Sequence, residues 1–324
     1  MIDYLLAKAQ EDERLTQKEI QHLLSYDPYS SAACRTIGVA SELSRLLQDN
    51  EAEIHGLLAL NQAACSDGGK SCTNDADASV LSIEEAVAKA KRLEEEGCHV
   101  IQIATTSDFS YLKLAPYLSK LRAALKPHIP LVINGGKDLA EHAKEIKQAG
   151  VSGVYHALHL RSEEDADNSA EQRCASIDKF LAAGLQVATG VESIGPEHNN
   201  REIAELICYA ASIKSVFSGA ARRIPVPDTP MGVMGTIPEV RQAQIVAITR
   251  LAMPHATIAT CTNAPCALAA LGGASFFWAE MCTNPRASVT GTEERRKLSV
   301  EELLHIFWES GWNARQGKSR IWGV

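Results

Sequence analysis

Apolar residues along this chain fall into two alternating patterns. One recurs every three to four residues, as at Ile83, Ala86, Val87, Ala90 and Leu93, and predicts helices with one buried face. The other is a short run with few charges, which predicts strands buried on both faces. Such runs lie at 55–60, 99–104, 130–134, 152–157, 185–190, 214–218, 256–260 and 274–278. Helical patterns fall between them, at 83–96, 111–125, a stretch ending at Gly150, 170–183, 201–211 and 238–253, with a short helix before the last strand. Thr16 with Glu19, and Ser82 with Glu85, have the spacing of capping boxes, which opens a helix at each point. A further helix is expected over 32–47 and a last one over 299–312. Eight strands alternating with helices predict an α/β fold, a single (β/α)8 TIM-type barrel. The expected organisation is a helical N-terminal cap over 1–50 and the barrel, with its C-terminal helix, over 51–324. An open doubly wound sheet competes, but it has no reason to stop at eight strands.

A barrel of this kind carries its chemistry on the loops that follow the strands. The first such loop holds Cys65 and Cys72 among Gly, Ser, Asp and Lys. Asp108 follows the second strand, Gly135 and Gly136 the third, and His156, His159 and Arg161 the fourth. The segment from Glu192 to His198 follows the fifth; Arg222, Arg223 and Asp228 the sixth. Cys261 and Cys266 follow the seventh strand and Cys282 the eighth. Loops are polar by default, so the clustering is partly trivial. Five of the nine cysteines lie in loop-like segments, and soft ligands there suit a transition metal or iron-sulfur cluster. Cys34, Cys98, Cys174 and Cys208 lie in apolar helical or strand patterns and read as small packing residues.

The net charge of −8, with no long basic block, excludes nucleic acid as the main partner. No run approaches the ~20 apolar residues of a membrane span, and the N-terminus lacks a secretory pattern. A cytoplasmic protein acting on a small molecule is the expectation. An electron donor or a second copy of the chain are the partners left open.

Several stretches taken together resemble the radical SAM superfamily. They are Leu15 to Leu24 in the leader, Leu60-Asn-Gln-Ala-Ala-Cys65, Ala183 to Gly195, and the turn Ile224-Pro-Val-Pro-Asp-Thr-Pro-Met-Gly232. The branch they resemble contains biotin synthase, methylornithine synthase and the maturases of iron-only hydrogenases, and the likeness runs in order through nearly the whole chain. The resemblance implies a 4Fe-4S cluster and S-adenosylmethionine (SAM), with a reduced cluster cleaving SAM to a radical that takes a substrate hydrogen. It implies SAM contacts from Asp108, near the turn that meets the methionine amino group, and from Arg161, placed to grip the carboxylate. Val191 and Ile194 would pack on the purine, with Glu192 in the same turn; Glu192 and Glu197 are unusual there and point instead to another ligand or a metal. A solvated surface role for Arg161, and a structural one for His156 and His159, stand beside these.

The resemblance breaks at the cluster loop. The family uses Cys-x3-Cys-x2-Cys; here Cys65 and Cys72 fit the outer positions and Gly69 occupies the middle one. Three explanations stand. Cys261, Cys266 or Cys282 replaces the missing ligand from elsewhere; the cluster has changed type and has no open iron; or the barrel has lost its cluster and been reused. The set of three cysteines and an arginine that holds the second cluster of biotin synthase is not found, which argues against sulfur insertion. An ordinary barrel aldolase or lyase ranks behind these readings, with only Glu192 and Asp108 to serve it.

Overall fold

The computed structural model describes residues 1–61, 80–106, 109–136, 138–160, 169–225, 230–280 and 298–323. Three helices lead the chain: α1 (Ile2–Gln10), α2 (Gln17–Leu24) and α3 (Ser31–Leu47). The strands are β1 (Glu51–Ala59), β2 (Val100–Ala104), β3 (Leu131–Asn134), β4 (Gly153–Tyr155), β5 (Leu158–His159), β6 (Gln186–Ala188), β7 (Val191–Ile194), β8 (Phe217–Arg222), β9 (Ala259–Cys261), β10 (Phe276–Glu280) and β11 (Asn313–Ala314). Between them run α4 (Ile83–Glu95), α5 (Tyr111–Ala124), α6 (Ala143–Gln148), α7 (Ala170–Ala182), α8 (Asn200–Ser212), α9 (Pro230–Val233), α10 (Glu239–Ala252), α11 (Ala267–Leu271) and α12 (Val300–Glu309).

The expected α/β barrel is what the chain forms. Hydrogen-bonded neighbours follow the order β5-β7-β8-β9-β10-β1-β2-β3-β4-β6, with parallel pairing throughout. β4 runs on into β5 and β6 into β7, so these four short strands occupy two positions of the ring. The Val216 amide donates to Val187 O, which joins β6 to the start of β8 and closes a ring of eight positions. Both expected capping boxes form, at Thr16–Glu19 and Ser82–Glu85, and two more open α8 and α12. The expected strand over 214–218 starts later, at Phe217, because Ser215 spends its hydroxyl on the Phe217 carbonyl and its amide on α8.

Strand alternation divides the apolar residues into two bodies. Ile54, Ile101, Ile103, Leu131, Ile133, Val187 and Ala220 point outward into the layer beneath the helices. Val100, Val132, Tyr155, Ala188, Phe217, Ala259, Cys261 and Phe276 point inward and fill the barrel lumen, where Ile321 and Trp322 join them. Full burial of each such Leu, Ile or Phe contributes about 1.5–3 kcal/mol.

The C-terminal segment closes the end of the barrel at which the strands begin. β11 pairs with the start of β1, Glu51 facing Asn313. Glu53, with no exposed surface, then accepts from the Arg320 amide at 2.6 Å and the Ser319 hydroxyl at 2.7 Å, and meets His55 Nε2 at 3.1 Å. Burial disfavours the Glu53 charge, but these three donors outweigh it and hold the carboxyl below its ordinary range. Burial also pushes the His55 imidazole below its ordinary value, so the pair is a carboxylate and a neutral ring that donates. Trp322 lies on this floor against Phe217, ring centroids 5.8 Å apart.

Candidate functional site in the barrel lumen

Above the Trp322 floor, the lumen is lined by aromatic rings with polar atoms at their edges. Tyr155 stacks on Phe217 at 5.6 Å and meets Trp278 edge-on at 6.4 Å. Phe276 and Trp278 lie two residues apart on β10 and therefore share the inner face. Trp278 Nε1 donates to Gln102 Oε1 at 3.3 Å, and the Tyr155 hydroxyl donates to Glu192 Oε1. The Cys261 thiol joins this level beside Gly219, where a β-carbon would stand 2.7 Å from its sulfur. Gly190 leaves similar room for the Tyr155 hydroxyl, 3.2 Å from where its β-carbon would be. Glycine at these two positions lets strands β6–β8 carry a phenol and a thiol inward.

Electrostatics at this level are set by one charge. Burial, and then the neighbouring Glu192 carboxylate, raise the Tyr155 phenol well above its ordinary value, and both raise the Cys261 thiol likewise. Tyr155 and Cys261 are therefore neutral donors at neutral pH, and half-buried Glu192 carries the negative charge.

The other residues singled out in the sequence divide by the wall of the barrel. Val191 and Ile194 are fully buried in the outer layer, not on the lumen face with Glu192. Cys266 caps α11, its sulfur accepting from the Ala269 amide at 3.4 Å, and it packs on the outer layer while Cys261 belongs to the lumen. Burial raises the Cys266 thiol. Cys65, Cys72, Asp108, Arg161 and Cys282 lie outside the described residues, as do Lys137 and Asp228. The base of the first cysteine loop is described: Asn61 and Val80 form an antiparallel bridge, and Asn61 exchanges two hydrogen bonds with Thr106, at 2.7 and 3.0 Å. The loop between 61 and 80 is thereby tied to the end of β2. Among the described residues, no group of three or more His, Cys, Asp and Glu converges as a metal site.

His156 does not enter the lumen. Its ring lies edge-on to Phe180 of α7 at 5.8 Å, and burial, followed by nearby Arg173, pushes its pKa down to about 3. Of the cysteines expected to pack, Cys98 is buried, Cys174 and Cys208 are partly so, and Cys34 is exposed on the outer face of α3. Glu197 and Arg223, read as separate loop residues, form a bidentate ion pair beside the mouth, and the Arg223 amide donates to Ile194 O. Burial opposes the Glu197 charge, but the Arg223 bonds prevail and hold the carboxyl below its ordinary range. Tyr155, Gln102 and Trp278 were not picked out by the sequence motifs. Their signal was strand alternation, since each is a large side chain on the same inward parity as its neighbours.

Comparison with known proteins follows the geometry. The model of the family described as "Radical SAM superfamily" matches residues 65–210. Biotin synthase of Desulforudis audaxviator is 22% identical over 239 residues, 68% of this chain and 71% of that protein. Biotin synthase of Acetivibrio thermocellus is 24% identical over 68% of this chain and 72% of its own length. Among solved structures, methylornithine synthase (PylB) superposes with a TM-score of 0.79 at 15% identity, covering 96% of this chain and 97% of that one. HydG, a maturase of the FeFe-hydrogenase, gives 0.80 at 17% identity, covering 96% and 74%. No helix among the described residues is long and apolar enough to cross a membrane. By sequence and by fold, the chain is a relative of the radical SAM superfamily, in the branch of biotin synthase, methylornithine synthase and HydG.

Proposed function

We propose that this protein is an atypical radical-SAM-like iron-sulfur protein that acts on a small molecule inside the barrel, with a cluster of 4Fe-4S type ligated in a non-standard way. One observation carries the reading: a closed parallel ring brings the Cys65/Cys72 loop, anchored through Asn61 to Thr106, to the same end as a lumen lined by Tyr155, Glu192 and Cys261. Donor chemistry fits the cluster only in part, because Gly69 leaves that loop two thiols where the family's has three. Cys261, Cys266 and Cys282 are the candidates for the remaining ligand, and SAM contacts fall to Asp108, Arg161 and the turn from Val191 to Ile194. A cluster with an open iron supplies an electron to bound SAM; no step is routed through it here. The missing thiolate favours one second reading, a barrel that carries a cluster or sulfur without cleaving SAM.

Anaerobic reconstitution with iron and sulfide counting, followed by EPR of the reduced protein with and without SAM, separates the two. A signal that shifts on adding SAM supports the first. A cluster indifferent to SAM supports the second. Absence of any cluster overturns both.

A further inference from the structure

Tyr155, Trp278, Phe217 and Phe276 surround one level of the lumen with aromatic surface, and a single carboxylate, Glu192, stands at its edge. These residues come from strands β4, β7, β8 and β10, and Gln102 of β2 joins them through its bond from Trp278. The belt therefore spans much of the ring, and it is held in place by its own ring contacts. Beneath it the lumen is filled by Trp322 and Ile321, so an occupant can enter only from the end where the strands finish.

The chemistry of the belt selects its occupant. A carboxylate in a low-dielectric wall attracts a cation far more strongly than it would in water, and a neutral guest leaves that attraction unused. Aromatic faces add a further preference for an ammonium group over an alcohol or a carboxylate. Tyr155 and Cys261 are neutral, so the belt has no second ionised group of its own to cancel Glu192. The Tyr155 hydroxyl occupies Glu192 Oε1 and fixes the carboxylate plane, which orients the other oxygen for a donor. Gln102 gives its carbonyl oxygen to Trp278, which assigns its NH2 end as the donor for an acceptor group elsewhere on the guest.

We propose that the belt of Glu192, Tyr155, Trp278 and Gln102 is a subsite for a small protonated amine, with the ammonium group seated on the Glu192 carboxylate over aromatic surface. This assignment rests on the reading that the lumen takes a small molecule. It names the chemical class of that molecule and gives Glu192 to the guest, where the family resemblance gave it to SAM.

The test uses the full-length protein and three matched probes: n-butylammonium, n-butanol and n-butyrate. Binding is followed by calorimetry and by the rise in Tm. Iron and sulfide are counted in the same preparations. Butylammonium should bind saturably, with butanol and butyrate at least about tenfold weaker, since a charge-assisted bond contributes roughly 1.5–3 kcal/mol. Glu192→Gln, which keeps an acceptor for Tyr155 and removes the charge, should erase that preference. Tyr155→Phe should keep the preference and weaken binding. Butylammonium binding no better than butanol in the parent protein, or equally well in Glu192→Gln, overturns the proposal. If Glu192→Gln folds poorly, the ranking of the three probes on the parent protein decides alone. Amine selectivity without iron would leave the subsite standing and sink the iron-sulfur reading. Iron without amine selectivity would do the reverse.

Discussion

Replacing Trp322 by alanine removes the indole that floors the lumen. The side chain is 1% exposed, packs against Phe217 and over Gly153, and its amide accepts no freedom because it donates to Ser319 Oγ at 3.3 Å. Nothing below it can move up to fill the gap, since Ser319 and Arg320 are tied to Glu53. Truncation of such a residue costs about 3–5 kcal/mol, made up of lost transfer energy and the cavity left behind. An unfolding entropy of about 2.1 cal/mol/K per residue, over 324 residues, gives about 0.7 kcal/mol/K, so Tm should fall by about 4–7 °C. Thermal unfolding followed by circular dichroism measures this directly. Trp308→Ala is the matched control, because Trp308 is 69% exposed on α12 and should lose little. The cavity should also be dry and apolar, so added indole should recover part of the lost Tm in Trp322→Ala and none in the parent. Equal losses for the two tryptophans, with no rescue by indole, would refute the assignment of the C-terminal segment as the floor of the lumen.

Other outcomes follow from the same geometry. His156 has a folded pKa of about 3 against an ordinary 6.5, so the unfolded chain takes up the proton first; stability is whole above about pH 6.5 and is lost as pH falls toward 3. Between pH 7 and pH 5 this amounts to about 2 kcal/mol, and a His156→Phe variant should show a correspondingly flatter Tm-against-pH curve; parallel curves would contradict it. Glu197→Ala leaves the buried Arg223 guanidinium without its bidentate partner and should cost about 3–5 kcal/mol in denaturant unfolding. Cys65→Ala and Cys72→Ala should each lose iron after reconstitution. Among Cys261→Ala, Cys266→Ala and Cys282→Ala, the variant that also loses iron identifies the third thiolate, and retention of iron in all three would show that no thiol of this set completes the cluster.

The sequence by itself determined the barrel. Apolar runs separated by helical periodicity require parallel strands with helices between them, and the caps at Thr16 and Ser82 mark helix starts through purely local bonds. Local patterns of this kind need only neighbours in the chain, which is why they can be read without coordinates. The cysteine loop and the turn after the fifth strand were also legible, because their residue types are rare in such positions. What the tertiary structure decided is which side of the wall each residue occupies. Cys261 and Cys266 are five residues apart, yet one enters the lumen and the other caps a helix outside it, since the strand ends between them. Val191 and Glu192 are adjacent and face opposite ways for the same reason of strand parity. The Glu197–Arg223 pair and the seating of the C-terminal tail on Glu53 join residues 26 and more than 260 positions apart. Such contacts depend on ring closure, in which the last strand returns to the first, and a one-dimensional pattern carries no record of that closure.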